Sequence, residues 1–154
     1  VARQNRIIQQ TVNFVEKMGI TVDTATTAYL ISRILERIGD HINRIASYVI
    51  LLLQNTIDDE LIKKLDYASN QSLSLLNRSI GAFTKKEINE ANETIDLSDK
   101  LEELCEEIDK LALKQTAPTA ISLGYIVESI RRIGEYAEDI SETVINHLIG
   151  EERI

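Results

Sequence analysis

The chain has 154 residues, 44% of them hydrophobic and 27% charged, enough for one domain with a buried core. Its net charge of −8 and pI of about 4.8 argue against a surface that grips phosphate backbones, so no nucleic acid is expected through this segment, and cations or basic partners suit it better. One proline, no tryptophan and a wealth of Leu, Ile, Ala and Glu favour helices over sheets, while the single cysteine excludes an internal disulfide and fits a reducing cytosol.

Residues 2–18 carry Ile7, Ile8, Val12, Val15 and Met18 at helical spacing, and Gly19 supplies a left-handed stop. The start is polar, unlike a signal peptide, and Val1 is neither a methionine nor a helix cap. The expectation is a fragment that begins inside a helix.

A second helix is predicted from a cap at Asp23 or Thr24 to about Leu53. Its stripe is Ile31, Leu35, Ile38, Ile42, Ile45, Val49 and Leu52, the alternating three-and-four spacing of a helix packed in a bundle. Glu36 and Asp40 fall together on the opposite side. The longest apolar run, residues 49–53, falls far short of the roughly 20 residues a membrane span needs.

Asp58 or Asp59 caps a third helix to about Thr84, with Leu61, Leu65, Ala68, Ser72, Leu76, Ile80 and Phe83 on its stripe. A fourth spans residues 87–114. There Leu97, Leu101, Leu104, Cys105, Ile108 and Leu111 face inward, and Asp96, Asp99, Glu103 and Glu106 face outward. Residues 115–119 break it, and Pro118 fits early in a last helix that runs to about Leu148 and stops at Gly150. The last stripe is Ile126, Ile130, Ile133, Ala137, Ile140 and Val144. Short loops between long helices make antiparallel neighbours.

The second and last helices repeat each other. A shift of 95 residues lays ERIGDH (residues 36–41) over RRIGEY (residues 131–136), and Ile31, Ile45, Val49, Ile50 and Leu53 also meet identical residues. This reads as a duplicated helical unit. Gly39 and Gly134 each cost roughly 1 kcal/mol relative to Ala inside a helix, so their shared position predicts a close helix crossing.

LERIGDHINRIA and its looser copy SIRRIGEYAEDIS resemble the PhoU family. The resemblance implies an all-α protein of two three-helix units, each ending in a helix with the ERIGD-type signature. It implies a cytoplasmic regulator of phosphate uptake, linked to a phosphate transporter ATPase or a phosphate-sensing kinase. It also implies divalent or ferric ions held on the bundle surface by acidic i,i+4 motifs; some archaeal members carry an upstream DNA-binding domain. With five helices expected, the first unit lacks its opening helix. Residues 1–53 are then the remnant of that unit and residues 58–150 the second unit of a single bundle.

Glu36 and Asp40 match the family's acidic pair. Hard carboxylate oxygens one turn apart can share a cation, and they can equally be a solvated face. Their partners belong to the incomplete part of the first unit. In the second unit Arg131 takes the slot of Glu36, Glu135 keeps that of Asp40, and Asp139 adds an acid one turn on. Asp99 and Glu103 form another outward pair. Glu135, Asp99 and Glu103 can hold one ion or be neutralised by Arg131, and the salt bridges are the favoured reading.

His41 is expected to be a partly buried ring bonded to a neighbour, His147 the same with a favourable place at a helix C-terminus, and Cys105 a buried small hydrophobe. There is no Gly-rich phosphate cradle, nucleophile elbow or Cys–His ligand set, so no enzyme is expected. A di-metal bundle enzyme would need core-facing Glu-x-x-His motifs, which are missing. The fold is predicted as an antiparallel bundle of about five helices. The function is predicted as a PhoU-like regulator acting by protein contact, as a homodimer or on another protein. The alternative is a structural or dimerisation module of a larger transcriptional or transport regulator.

Overall fold

The structure, a computed structural model, describes residues 17, 19–53 and 55–151, which form four α-helices and no strand. They are α1 (Val22–Leu52), α2 (Asp59–Lys85), α3 (Ile88–Ala112) and α4 (Ala117–Glu151). The helix predicted over residues 2–18 lies outside the described residues except for Lys17, so four helices rather than about five stand among the residues described. No described helix is long and apolar enough to cross a membrane.

Local chemistry sets most of the ends. Thr21, extended at φ −69° and ψ 152°, caps α1 by accepting a hydrogen bond from Thr24 N at 3.1 Å. The cap therefore lies two residues before the predicted Asp23, which instead sits in the first turn near the positive end of the helix dipole. Asp58 caps α2 as expected, accepting from Glu60 N at 2.9 Å. Lys86 ends α2 in the left-handed conformation, at φ 58°, and the chain turns at once into α3. Gly19 has the positive φ predicted for a stop, at 70°. Gly150 does not stop α4, which continues through it to Glu151. A glycine weakens a helix by about 1 kcal/mol without forbidding it.

The helices run antiparallel to their neighbours in sequence from α2 onward. Lys64 pairs with Glu107 at 3.0 Å and Arg78 with Glu93 at 2.8 Å, which sets α2 against α3. Among the described helices α4 is the hub and touches all three others, whereas the backbone of α1 lies beside α4 alone. Tyr48 stacks on Tyr125 with ring centroids 4.5 Å apart, and Asp23 meets His147 at 2.5 Å, so α1 and α4 are antiparallel too.

This arrangement decides which half of each predicted stripe is buried. On α4, Ile130, Ala137 and Val144 are 1%, 0% and 0% exposed, because α2 and α3 cover them. Their repeat partners on α1, Leu35, Ile42 and Val49, are 38%, 42% and 53% exposed in the order Leu35, Val49, Ile42. Only Ile31, Ile38 and Leu52 of the α1 stripe are buried. The stripe is there, but among the described residues its buried members lie on the edge facing α4.

Candidate functional site

The polar centre of the molecule lies where α3 meets α4. Arg131 projects from the middle of α4 toward α3, and its side chain is 17% exposed. Its Nε donates to Glu102 Oε2 at 2.8 Å, Nη2 to Asp109 Oδ2 at 2.7 Å and Nη1 to Glu128 Oε2 at 2.8 Å. Burial works against its charge, but hydrogen bonds to Asp109 and Glu128 and the charges of Glu102 and Asp109 prevail and hold its pKa above the ordinary arginine value. Glu128 is also raised by burial; the hydrogen bonds from Arg131 and Arg132 outweigh that and bring it below the usual carboxylate range. Arg132 lies outside this cluster and joins Glu128 to Glu135, at 3.0 and 2.6 Å.

A cavity of about 190 Å³ opens beside this network. Asp99, Glu102, Arg131, Gly134, Glu135 and Glu138 line most of it, and Ser98 Oγ lies 2.8 Å from Glu138 Oε2. Two of the four acids proposed for the second unit, Asp99 and Glu135, thus line one cavity together with Arg131. Glu103 and Asp139 are not part of its lining. Burial raises the pKa of Asp139, and Glu142 and Glu135 raise it further against the opposing charge of Arg37.

Gly134 explains how α3 comes so close. A Cβ added there would lie 2.5 Å from Leu101 Cδ2, so the helix crossing predicted for this glycine is present. The twin position differs: nothing lies within 4 Å of a Cβ added to Gly39, and the predicted crossing is absent there among the described residues.

Glu36 and Asp40 are exposed on α1, away from the face packed on α4, and Glu36 pairs with Arg33 at 3.2 Å. Among the described residues no group of three or more His, Cys, Asp or Glu is placed to hold a metal ion. The salt bridges favoured for Arg131 form, but with Glu102, Asp109 and Glu128 rather than with Asp99, Glu103 and Glu135. The sequence carried a signal for this choice. Glu102 and Asp109 are seven residues apart and share one face of α3, and Glu128 stands one turn before Arg131.

The two histidines divide: His147 is a buried ring bonded to a neighbour as expected, and His41 is not bonded among the described residues. His41 is half-buried with its ring centroid 5.7 Å from that of Tyr136, and its Nδ1 is buried with no hydrogen-bond partner among the described residues. Burial, then Arg44 and Arg132, lower its pKa against the pull of Glu128 and Asp40. His147 is buried and tied to Asp23, 124 residues away, a partnership no local pattern reveals. Cys105 is fully buried as predicted, and burial pushes its thiol up to about 12.

Residues 65–144, which run from within α2 through α3 and most of α4, match the family model of the PhoU domain. Neither the curated proteins nor the solved structures contain a match to the chain. The matched region holds the Arg131 network, the cavity and the Gly134 crossing, and it makes up more than half of the sequence: the chain belongs to the PhoU domain family.

Proposed function

We propose that this protein regulates phosphate uptake or phosphate signalling in the cytoplasm by contact with another protein, a phosphate transporter ATPase or a sensor kinase. The observation that carries this reading is the PhoU match over α2, α3 and α4. The PhoU family is one of phosphate-homeostasis regulators without enzymatic activity, and a rigid helical body with charged faces suits such a role. Deleting the coding sequence is expected to change the rate of labelled-phosphate uptake or its response to external phosphate. Unaltered uptake and unaltered phosphate-dependent expression would together overturn the proposal.

Metal enters this reading at two places. In the second unit, the guanidinium of Arg131 beside Asp99 and Glu135 supports ion pairing over a bound cation, because a fixed positive charge in the cavity repels a metal. On α1, the pair Glu36 and Asp40 offers two hard oxygen donors and needs further carboxylates to complete a shell. The proposed ligand set is therefore Glu36 and Asp40 first, with Asp99, Glu103, Glu135 and Asp139 as the weaker set. Elemental analysis of protein purified without chelator checks it. Metal present in the parent and lost in Glu36→Ala supports the α1 site, and metal-free parent protein excludes both.

One observation favours the second reading, a dimerisation module of a larger regulator. A groove of about 400 Å³ where the end of α1 meets α2 is lined by Val49, Leu53, Ile57, Ile62 and Leu65, an apolar surface of the kind that marks association. Molar mass by light scattering over a hundredfold range of concentration separates the readings: a dimer that loses its partner in Ile62→Asp supports the module.

A further inference from the structure

The net charge of −8 suits basic partners, but one face of α1 departs from it. Among the described residues Arg33, Arg78, Arg131 and Arg132 each pair with a carboxylate at 3.2 Å or less. Arg37 and Arg44, both exposed, form no such pair. The chain has 25 acidic residues, so placement and not a shortage of acids leaves these two unpaired. Arg37, His41, Arg44 and Tyr48 recur at the four-and-three spacing of a single side of α1. That side borders the contact with α4, where His41 meets Tyr136 and Tyr48 stacks on Tyr125. Across the seam stands Arg132, already held by Glu128 and Glu135 at 3.0 and 2.6 Å. Asp139 feels the charge of Arg37 without pairing with it.

We propose that this face docks an acidic helical segment of a partner protein, with carboxylates that reach Arg37 and Arg44. The proposal rests on the reading of the chain as a regulator that acts by protein contact, and it names the chemistry of the partner. Groups seven residues apart on one helix stand about 10.5 Å apart. A partner helix with two carboxylates at the same interval meets both guanidiniums along one side. A single small anion spans far less and meets only one of them. A continuous run of phosphates fits poorly as well, because Glu128, Glu135 and Asp139 lie beside Arg132 on α4 and repel it. Charge at two separated points avoids that repulsion. Arginine and tyrosine are the side chains on which interfaces most often depend, and Tyr48 continues the stripe one turn past Arg44.

NMR titration of the isotope-labelled full chain with a synthetic peptide tests this. The probe is an alanine-rich helix, blocked at both ends, with two glutamates seven residues apart. In the control peptide the glutamates are five apart, which turns them about 140° from each other. The probe is expected to shift the signals of Arg37, Arg44 and Tyr48 saturably at low salt. Its Kd should be up to about five-fold below that of the control, the factor for one exposed ion pair. Arg37→Glu combined with Arg44→Glu should lose this response and acquire one to the matching lysine peptide, a gain that misfolding cannot produce. Equal shifts from probe and control, no saturation at millimolar peptide, or an unchanged response in the double variant overturns the proposal. So do the same shifts from inorganic phosphate at matched ionic strength, which assign the face to a free oxyanion, or from unlabelled copies of the chain, which assign it to a second copy. The titration does not involve phosphate uptake, so its failure leaves the regulator reading to stand or fall by the gene deletion.

Discussion

At the scale of single residues the molecule turns on Arg131. One guanidinium serves three carboxylates from two helices, so removing it takes this partner from Glu102 and Asp109 and leaves Glu128 to Arg132. Arg131→Met is expected to cost about 1–3 kcal/mol, less than a fully buried pair because the carboxylates are partly solvated. The sign of its pH dependence follows from Glu128, whose folded pKa lies below its ordinary value. Stability of that kind is fully present above the unfolded carboxylate pKa of about 4.3 and is lost as pH falls through the folded value. The difference between parent and variant should therefore be constant from pH 7 down to about pH 5 and shrink only as the pH falls below about 4 in urea titrations. A deficit that does not change with pH would show that lost packing, not lost charge, is responsible. His41 has the opposite chemistry but a similar direction. Its folded pKa is lowered, so the neutral ring is favoured in the fold, and stability is lost as pH falls below about 6.5. His41→Tyr, which copies the residue of its twin Tyr136, should flatten the fall in thermal midpoint between pH 7.5 and 5.5; an unchanged slope would locate the sensitivity elsewhere.

At the scale of helices, the Gly134 crossing makes a sharper prediction. Adding a methyl group there drives Leu101 out of place, which costs about 1–3 kcal/mol, while leaving glycine gains roughly 1 kcal/mol of helix propensity. Gly134→Ala should therefore be mildly destabilising, and it should be less so in the background of Leu101→Ala, where the clash is gone. A double-mutant cycle in denaturant measures that coupling, and strictly additive effects would refute the contact. The same helices show what a sequence can reveal. The existence and direction of α1, α2, α3 and α4 were legible because a three-and-four apolar spacing has one regular solution. The Asp58 cap and the crossing at Gly134 were legible because each rests on local backbone chemistry. What the stripe could not show was its neighbour: Ile130 and Leu35 stand at the same place in the repeat, and only the first is covered. The Arg131 partners were half legible, since helical spacing places Glu102 and Asp109 on one face but does not say that Arg131 points between them. The pair of Asp23 with His147 was out of reach, because 124 residues separate its members.

At the scale of the whole molecule, the stability of α1 should differ from that of the rest. Helices α2, α3 and α4 all touch one another and enclose Cys105, Ile108 and Val127, whereas among the described helices the backbone of α1 packs along one edge, on α4. Regions with few packed neighbours open at lower free energy than the core they rest on. Ile38, 2% exposed, anchors that edge, and Ile108, 0% exposed, lies inside the three-helix body. Truncating either to alanine removes comparable apolar volume, about 2–5 kcal/mol by precedent for such sites. The consequences should nevertheless separate. Because the Cys105 thiol is fully buried and titrates near 12, its labelling by a thiol reagent reports opening of the body. Backbone hydrogen exchange within α1 reports release of that helix. Ile108→Ala should accelerate both, since α1 has no seat once the body opens. Ile38→Ala should accelerate exchange in α1 by at least about 30-fold, the factor that corresponds to 2 kcal/mol, and leave Cys105 labelling far less affected. If Cys105 labelling and α1 exchange rise by the same factor in Ile38→Ala, the four helices unfold as one unit, and the one-sided attachment of α1 carries no energetic meaning.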